Sequence, residues 1–517
     1  MNGAESLIRT LVDLGVDCCF ANPGTSEMHL VQAIDKVDGM RPVLGLFEGV
    51  CTGAADGYGR MTGRPALTLL HLGAGLGNGI ANLHNARRAD TPLLNVVGDH
   101  AIHHIPYEAP LTADIEGVAR PVSSWVRTAR TPAGLAQDGV EAVQAAMSPS
   151  PTPLGNISTL IVPADCAWGE AFYQAPAPWQ PQRPKVADEA VQAAAQKLND
   201  KAILLIDGPG LTESGVKLAG RIAAATGCRI MAPTFPSRVE AGPDLPAVGR
   251  IPYFPEQITA LLETVPNLVL AGADAPVGFF AYQNMPANPV PASCHVQRMT
   301  HRHDDVLDAL ARLAEAVGAP AEFTPAGLKR PDMPEGPLNA MTVAQILGVM
   351  APEQSIFASD SGGGGAAGPV MARAARHTWL GLTGGAIGQG GPVATGAAAA
   401  CPDRQVFSLL GDGAAMYTFQ ALWTQAREKM NVITVIFSNR SYNILSVEYR
   451  RLGVNEIGDK AGSMFDLSGP DIDWAGLGRS MGVPSSRAGD CASFASALKQ
   501  ALEADGPYLI EADLTGG

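Results

Sequence analysis

The sequence predicts an α/β protein with three doubly wound domains, each built on a parallel β-sheet. Apolar segments of strand length alternate along the chain with segments of helical periodicity, which is the pattern of βαβ units. The 58 glycines and 40 prolines supply the tight turns that such units need. Two proline-rich stretches then divide the 517 residues into three pieces of ordinary domain size.

These two stretches are Tyr173–Lys185 and Ala319–Pro337. Neither can continue a helix or a central strand, because proline lacks a backbone donor and its ring clashes with a preceding helical turn. We therefore expect an N-terminal domain over residues 1–172, a middle domain over residues 186–318 and a C-terminal domain over residues 338–517.

The composition excludes several classes of protein. With 46% hydrophobic and 17% charged residues, the chain can bury a large core. Its net charge of −14 argues against nucleic acid or an anionic membrane as a partner. The eight cysteines have no C-x-x-C spacing, the first residues form a helical pattern rather than a signal peptide, and no apolar run reaches membrane length. We expect a cytoplasmic protein with reduced thiols.

The N-terminal domain shows two polar residues at the ends of predicted strands. The predicted elements are a helix over Glu5–Leu14, strands over Cys18–Ala21, Val43–Glu48, Ala66–His71 and Leu93–Val97, helices over Gly49–Arg60 and Ile80–Arg88, and a glycine loop over Gly73–Gly79. Glu48 and His71 would lie at the carboxyl edge of the sheet, where such folds bind ligands. The alternatives are an ordinary first-turn glutamate and a structural histidine.

The C-terminal domain contains a clear strand–helix–strand unit. A strand over Arg404–Leu410, a turn over Gly411–Gly413, a helix from near Ala414 through Lys429 and a strand over Asn431–Ser438 are expected in that order. Such a unit makes two parallel strands, so the side chains that follow them meet at one sheet edge.

Oxygen ligands for a hard cation lie at this edge. Asp412 offers a carboxylate, Asn439 an amide oxygen and Ser441 a backbone carbonyl, which suit Mg²⁺ and a bound phosphate. Free N–H groups at the start of the helix would face the same phosphate. Gly-Asp-Gly alone is also a common turn, but a separation of 27 residues between Asp412 and Asn439 is more specific.

Gly-Asp-Gly, a helix, an apolar strand and then asparagine resemble the diphosphate-and-magnesium motif of thiamine-diphosphate enzymes. GDGAAMYTFQALWTQ is similar to the form in benzoylformate decarboxylases, and acetolactate synthases have a related form. The resemblance implies thiamine diphosphate and Mg²⁺ as cofactors, with pyrimidine-binding, middle and diphosphate-binding domains. It assigns the diphosphate and metal to Gly411, Asp412, Gly413, Ala414, Asn439 and Ser441.

Further segments extend the resemblance into the N-terminal domain. FEGVCTGAADGYGR is similar to the segment whose glutamate activates the cofactor, which implies that role for Glu48. TLLHLGAG, ANPGTSE and EAPLTAD resemble segments of benzoylformate decarboxylase. They imply that His71 reaches the substrate, that Thr25 faces its carboxylate and that Leu111 forms an apolar wall. A competing likeness to the paired histidines of pyruvate decarboxylase involves His103 and His104.

Two loops of the C-terminal domain complete the expected cofactor site. In TGGAIGQGGP, the resemblance implies that the Gly385 carbonyl accepts from the amino group of the cofactor and that Ile387 supports its bent shape. Ser359–Gly365 corresponds to a loop that contacts the diphosphate.

The middle domain has no motif for a dinucleotide. Gly208-Pro209-Gly210 follows a predicted strand over Ala202–Ile206, but Glu213 occupies the third glycine position of G-x-G-x-x-G. Asn78 breaks the same pattern in Gly73–Gly79, so we do not expect a nicotinamide cofactor. No segment resembles a flavin-binding one, and FAD is not expected. Gly278–Pro286 lacks the middle-domain histidine of benzoylformate decarboxylase.

These features predict a thiamine-diphosphate- and Mg²⁺-dependent enzyme that decarboxylates a 2-oxo acid and transfers the acyl-anion equivalent to a second carbonyl compound, as acetolactate synthase does. One alternative is a simple decarboxylase that releases an aldehyde, and a weaker one is a non-catalytic cofactor-binding subunit. The resemblance also implies a homodimer or homotetramer with shared active sites.

Overall fold

The computed structural model describes residues 1–150, 155–283, 285–360, 367–454 and 456–515. Three β-sheets organise the chain, each covered by helices. The α/β class and the three doubly wound sheets that the sequence predicts are therefore confirmed. The proline-rich stretches Tyr173–Lys185 and Ala319–Pro337 contain no helix and no named strand.

The first sheet has the strand order β2-β1-β3-β4-β6-β5, with every pair parallel. Its strands are β1 (Cys18–Ala21), β2 (Arg41–Leu44), β3 (Ala66–His71), β4 (Leu93–Asp99), β5 (Trp125–Thr128) and β6 (Ile157–Pro163). The helices of this region are α1 (Gly3–Asp13), α2 (Met28–Lys36), α3 (Glu48–Thr62), α4 (Leu72–Arg88), α5 (Ile115–Ala119), α6 (Leu135–Met147) and α7 (Ala164–Trp168).

The second sheet is formed by the middle of the chain, with the order β10-β8-β7-β11-β12. The strands of this region are β7 (Ile203–Ile206), β8 (Arg229–Ala232), β9 (Arg238–Ala241), β10 (Gly249–Arg250), β11 (Asn267–Ala271) and β12 (His295–Thr300). Its helices are α8 (Asp188–Ala195), α9 (Glu213–Thr226), α10 (Pro255–Glu263) and α11 (Val306–Ala316).

The third sheet has the order β17-β18-β16-β15-β13-β14-β9. Its other strands are β13 (Ser355–Ser359), β14 (His377–Leu380), β15 (Val406–Gly411), β16 (Val432–Ser438), β17 (Ser485–Ala488) and β18 (Tyr508–Asp513). The helices are α12 (Ala340–Met350), α13 (Ala367–Met371), α14 (Gly390–Ala400), α15 (Asp412–Ala415), α16 (Ala421–Arg427), α17 (Asn443–Arg451), α18 (Asp459–Phe465), α19 (Trp474–Ser480) and α20 (Cys491–Glu503).

Strand β9 was not predicted from the sequence. It belongs to the middle region, yet it pairs antiparallel with β14 and covers the edge of the third sheet. Edge strands present unpaired backbone groups, so this pairing protects β14. It also fixes the middle region to the C-terminal one through backbone hydrogen bonds.

The N-terminal and C-terminal regions meet where α3 crosses α14. A Cβ on Gly57 would overlap the Val393 carbonyl, and a Cβ on Gly396 would overlap the Ala54 carbonyl. The glycines therefore let the two backbones approach directly. Every residue from Glu48 to Arg60 is buried, so this crossing holds the start of α3 firmly.

Among the residues that the structure describes, we find no helix that combines the length and the apolar character needed to span a membrane.

Candidate active site

The predicted metal ligands lie together at the carboxyl edge of the third sheet. Strands β15 and β16 are parallel, with Gly411 paired to Phe437 at the end of the ladder. Asp412 and Asn439 follow these strands, and the Asp412 Oδ2 accepts a 2.6 Å hydrogen bond from the Arg440 backbone N–H. The Asn439 Oδ1 accepts from the Ser441 N–H at 3.0 Å. The parallel pairing predicted from the sequence is confirmed.

Among the described residues, no basic side chain pairs with the Asp412 carboxylate. Asp412 is 4% exposed, and burial raises the pKa of its carboxyl group. In the described part of the chain its hydrogen-bond donors are backbone amides, including Gly413 N–H at 2.8 Å, and Asp412 forms no ion pair with Lys or Arg. A buried carboxylate without a basic partner suits a bound cation. The residues present therefore fit Mg²⁺, which takes one or two carboxylates together with phosphate oxygens.

No group of three or more His, Cys, Asp or Glu side chains that could hold a metal occurs in the described residues. A metal at Asp412 would consequently need a phosphate or other oxygen ligands from outside the acidic and histidine side chains.

The helix predicted from near Ala414 through Lys429 is wrong as a continuous element. The chain forms α15 at Asp412–Ala415 and then α16 at Ala421–Arg427. The Thr418 hydroxyl between them donates to the Gly388 carbonyl at 2.7 Å, which holds the chain against the opposite loop. Gly413 and Ala414 are buried in α15, and the ring of Tyr442 occupies the space that a Cβ on Gly413 would fill.

The loop that contains Gly385 and Ile387 is held by the N-terminal region. The His84 Nε2 lies 3.1 Å from the Gly384 carbonyl, and the Asn85 amide binds both the carbonyl and the N–H of Ala386. Gly385 has a φ of +77°, which favours glycine, and Phe279 fills the space beside it. Ile387 is partly buried.

Asp360 also holds the loop that contains Gly385 and Ile387. Its Oδ2 accepts from the Gly388 and Gly390 backbone N–H groups at 3.1 and 3.0 Å. Burial raises the pKa of this carboxyl group to about 6. Most of the predicted diphosphate loop, residues 361–365 of Ser359–Gly365, lies outside the described residues.

Glu48 is the first residue of α3 rather than the last residue of a strand. The strand expected over Val43–Glu48 ends at Leu44, so this boundary was wrong. The side chain is 7% exposed, and its Oε2 accepts a 2.9 Å hydrogen bond from the Asn78 amide. The carboxylate thus lies between the starts of α3 and α4.

The glycine loop predicted over Gly73–Gly79 is also wrong, because this segment is the first half of α4. Three of its glycines, Gly73, Gly75 and Gly79, serve close packing instead of a turn. A Cβ on Gly79 would lie 2.7 Å from Thr52 of α3, and one on Gly75 would lie 3.1 Å from the Glu48 carboxylate. Leu72 has a φ of +47° and turns the chain sharply from β3 into α4.

Three of the predicted substrate residues line one cavity of about 310 Å³. They are His71, Thr25 and Leu111. The wall also includes Ser26, Leu72, Asp99, His100, Ala101, His103, His104, Ala164 and Trp168. The two likenesses noted in the sequence, to benzoylformate decarboxylase and to the paired histidines of pyruvate decarboxylase, therefore point to the same cavity.

Several contacts of this site were not predicted. Glu27 and Ser26 bind His71, Asn78 binds Glu48, and His84 and Asn85 bind the Gly385 loop. Asn78 gave no usable signal, because it lies in Gly73–Gly79, the segment that the sequence predicted as a glycine loop. The other contacts join segments that are far apart in sequence.

In the middle region, Gly208–Leu211 forms a short 3₁₀ turn. The segment Gly278–Pro286, apart from residue 284, is described. Phe279 and Phe280 are 39% and 56% exposed. Phe279 packs edge-on against Phe235, 5.5 Å between ring centres. The segment thus presents aromatic rings toward the Gly385 loop.

Two family models match the N-terminal and C-terminal regions of the chain. The family model "Thiamine pyrophosphate enzyme, N-terminal TPP binding domain" matches residues 1–118. The model "Thiamine pyrophosphate enzyme, C-terminal TPP binding domain" matches residues 363–512.

Whole-length relatives agree with these matches. The chain is 48% identical over 514 residues to "Putative acetolactate synthase large subunit IlvX" of Mycobacterium tuberculosis, covering 99% of this chain and 98% of the relative. It is 29% identical over 538 residues to benzoylformate decarboxylase of Pseudomonas aeruginosa, covering 96% of each.

A solved structure shares the fold across the whole chain. The thiamine diphosphate-dependent 4-hydroxybenzoylformate decarboxylase of Rhodococcus jostii RHA1 superimposes with a TM-score of 0.86 at 24% identity, covering 99% of each chain. The chain therefore belongs to the thiamine pyrophosphate enzyme family.

Proposed function

We propose that this protein is a thiamine-diphosphate- and Mg²⁺-dependent enzyme that decarboxylates a 2-oxo acid and transfers the acyl-anion equivalent to a second carbonyl compound. The observation that carries the proposal is the buried Asp412 carboxylate, which has no basic partner in the described part of the chain and is bonded to the backbone beside Asn439. A cation bound here together with a diphosphate would supply the positive partner that this carboxylate lacks.

Asp412, Asn439 and Ser441 are the proposed metal ligands. The backbone of Gly411, Gly413 and Ala414 would contact the diphosphate. When bound, the cofactor supplies an electron sink that stabilises negative charge after loss of CO₂. The protein contributes binding, orientation and proton transfer.

Glu48, Gly385 and Ile387 serve the organic part of the cofactor in this proposal. The carboxyl group of Glu48 holds and moves a proton at the pyrimidine, and Asn78 fixes its orientation through the 2.9 Å hydrogen bond. The Gly385 carbonyl accepts from the amino group, and the Ile387 side chain supports the ring system. His84 and Asn85 keep this loop in place.

The cavity at His71 is the proposed substrate pocket. Its volume of about 310 Å³ suits a small 2-oxo acid. Thr25 can bond the substrate carboxylate, Leu111 contacts its apolar part, and His71 transfers a proton at the substrate.

Two outcomes follow loss of CO₂, and different observations favour each. The Phe279 side chain beside Gly385 has no group that could protonate a carbanion, which favours transfer to a carbonyl acceptor. His71 in the cavity favours protonation and release of an aldehyde, the benzoylformate decarboxylase type of reaction. We place transfer first because the sequence Gly278–Pro286 contains no histidine.

Product analysis tests the proposal. Purified protein would be incubated with Mg²⁺, thiamine diphosphate and a panel of 2-oxo acids that includes pyruvate and benzoylformate, with and without an added aldehyde. We expect CO₂ release and a 2-hydroxy ketone product. Free aldehyde as the single product would contradict the transfer step, and His71→Ala with unchanged products would remove His71 from the chemistry.

The same experiment separates the proposal from a non-catalytic cofactor-binding subunit. Such a subunit would bind the cofactor without releasing CO₂ from any acid in the panel. Buried, hydrogen-bonded Glu48 and Asp412 support catalysis instead, because cofactor retention alone has no need for Glu48.

A homodimer or homotetramer with shared sites is part of the proposal. Helices α17 and α18 follow the proposed metal ligands and have no buried residues. Their exposed apolar side chains include Ile444, Leu445 and Met464. A second copy would cover this surface, and sedimentation of the purified protein measures the assembly directly.

A further inference from the structure

We infer that Glu27 is a positioning residue. It fixes the ring of His71 so that the Nε2 of His71 is available for proton transfer in the substrate cavity. The inference rests on the proposed function of that cavity. Glu27 lies in a 3₁₀ turn, Thr25–Glu27, directly after β1, and its side chain is wholly buried.

The carboxylate of Glu27 makes three contacts. Its Oε2 accepts from the Gly24 N–H at 2.7 Å and lies 2.9 Å from the His71 Nδ1. Its Oε1 accepts from the Ser26 hydroxyl. Within the described part of the chain, the ion pair of Glu27 is with His71. Because a buried carboxylate needs its hydrogen bonds, the contact with Glu27 should hold the His71 ring firmly in one orientation.

This contact determines which ring nitrogen of His71 carries the hydrogen. An ionised carboxylate can only accept, so the His71 Nδ1 must donate to it. The Ser26 hydroxyl lies 3.1 Å from the same Nδ1, but its proton is given to Glu27. Nε2 is then the nitrogen that remains for the cavity, and it can accept or return a proton there.

Two glycines make room for the pair. A Cβ on Gly24 would overlap the His71 ring, and a Cβ on Gly98 would overlap the Glu27 carboxylate. Neither glycine has a positive φ, so backbone conformation does not require glycine at either position. The space does. His71 is the last residue of β3, and its ring lies against Gly24, which follows β1.

Other titratable groups surround the pair and would contribute to any pH profile. Glu48 is close by, since its Oε1 and the His71 Cβ lie 3.1 and 3.3 Å from the position that a Cβ on Gly75 would take. Asp99, His100, His103 and His104 line the same cavity. A spectroscopic measurement on the His71 ring itself is therefore preferable to the pH dependence of the rate alone.

The test is NMR of protein with ¹⁵N-labelled histidine, with His71→Gln to assign the signals. We expect neutral His71 to carry its hydrogen on Nδ1 in the wild type. Glu27→Gln should mix the two tautomers, because an amide, unlike an ionised carboxylate, can donate to the ring as well as accept from it. Asp165→Asn, which changes the carboxylate 3.7 Å from the exposed His103, should leave the His71 signals unchanged.

Kinetics provide the second measurement on the cofactor-loaded enzyme. Glu27→Gln should lower kcat about 10- to 100-fold with a smaller change in KM, which is at or below the lower limit of the about 10²–10⁴-fold that general acid–base groups themselves contribute, because Glu27 acts through His71. Glu27→Asp, which keeps the charge, should recover part of the rate. Unchanged kcat in Glu27→Gln would overturn the inference.

The tautomer measurement keeps the inference separate from the proposed function. A wild-type His71 with its hydrogen on Nε2 would overturn the role of Glu27 even if Glu27→Gln does not fold. An Nδ1–H tautomer that is lost in Glu27→Gln would support it even if no 2-oxo acid is decarboxylated.

Discussion

The two sides of the proposed cofactor site are held in different ways. On one side, Glu48 begins α3, whose residues are buried through Arg60 and whose glycines contact the backbone of α14. On the other side, Asn439 and Ser441 lead into α17, which has no buried residue. The first side is fixed by the packing of the chain itself, and the second depends on a few polar contacts.

Arg451 provides the main contacts of the second side. Its guanidinium lies 4.3 Å from the ring centres of both Phe254 and Tyr282 and pairs with Glu256 at 2.6 Å. Glu448 accepts a hydrogen bond from Tyr282 at 3.0 Å. The proposed proton-transfer residue Glu48 therefore lies on a tightly packed element, whereas we expect the proposed metal loop to adjust when a ligand or a second copy binds.

The largest expected effect concerns Glu48 on the rigid side. Glu48→Gln should reduce the rate about 10²- to 10⁴-fold through loss of proton transfer, with cofactor affinity and fold retained. Proton–deuterium exchange at the reactive carbon of the bound cofactor reports this step. Glu428→Gln, at a surface glutamate paired with Arg41, is the control. Exchange at the wild-type rate in Glu48→Gln would remove Glu48 from this role.

A smaller effect is expected from filling the helix crossing. Gly396→Ala forces a methyl group against the Ala54 carbonyl, and overpacking of this kind costs about 1–3 kcal/mol of unfolding free energy. Gly77→Ala is the matched control, because it lies in helix α4 with open space around it. Urea unfolding should show a lower midpoint for Gly396→Ala alone. Equal midpoints would mean that the crossing is not rigid.

The smallest effect is expected on the second side. Arg451→Ala removes a cation held between two rings, a contact of about 1–2 kcal/mol, so α17 should open more often while the global midpoint changes little. Hydrogen exchange in the peptide 443–451 measures this opening. Arg450→Ala, on the exposed face of the same helix, is the control. Unchanged exchange in Arg451→Ala would show that other contacts hold α17.

The local sequence pattern was sufficient to predict those elements whose packing depends on nearby residues. The strands Cys18–Ala21 and Ala66–His71 match the structure at both ends, because each is a continuous buried apolar segment. The meeting of Asp412 and Asn439 also followed from the sequence, since a short strand–helix–strand unit permits one arrangement. These features need no knowledge of distant residues.

Long-range contacts explain the errors. The glycines of Gly73–Gly79 predicted a loop, but they lie in α4 because Thr52 and Glu48 pack against them. The helix expected through Lys429 is interrupted where Thr418 bonds the Gly388 carbonyl. Glu27 gave no signal either, since its partner His71 is 44 residues away.

Calorimetric titration of the protein with thiamine diphosphate, with and without Mg²⁺, tests the central claim most directly. The account predicts binding to the wild type that requires Mg²⁺, and loss of that binding in Asp412→Ala, because the diphosphate then lacks its bridging cation. Asp403→Ala, at an exposed surface turn, should bind as the wild type does. Unchanged affinity in Asp412→Ala would contradict the account and move the metal site away from this sheet edge.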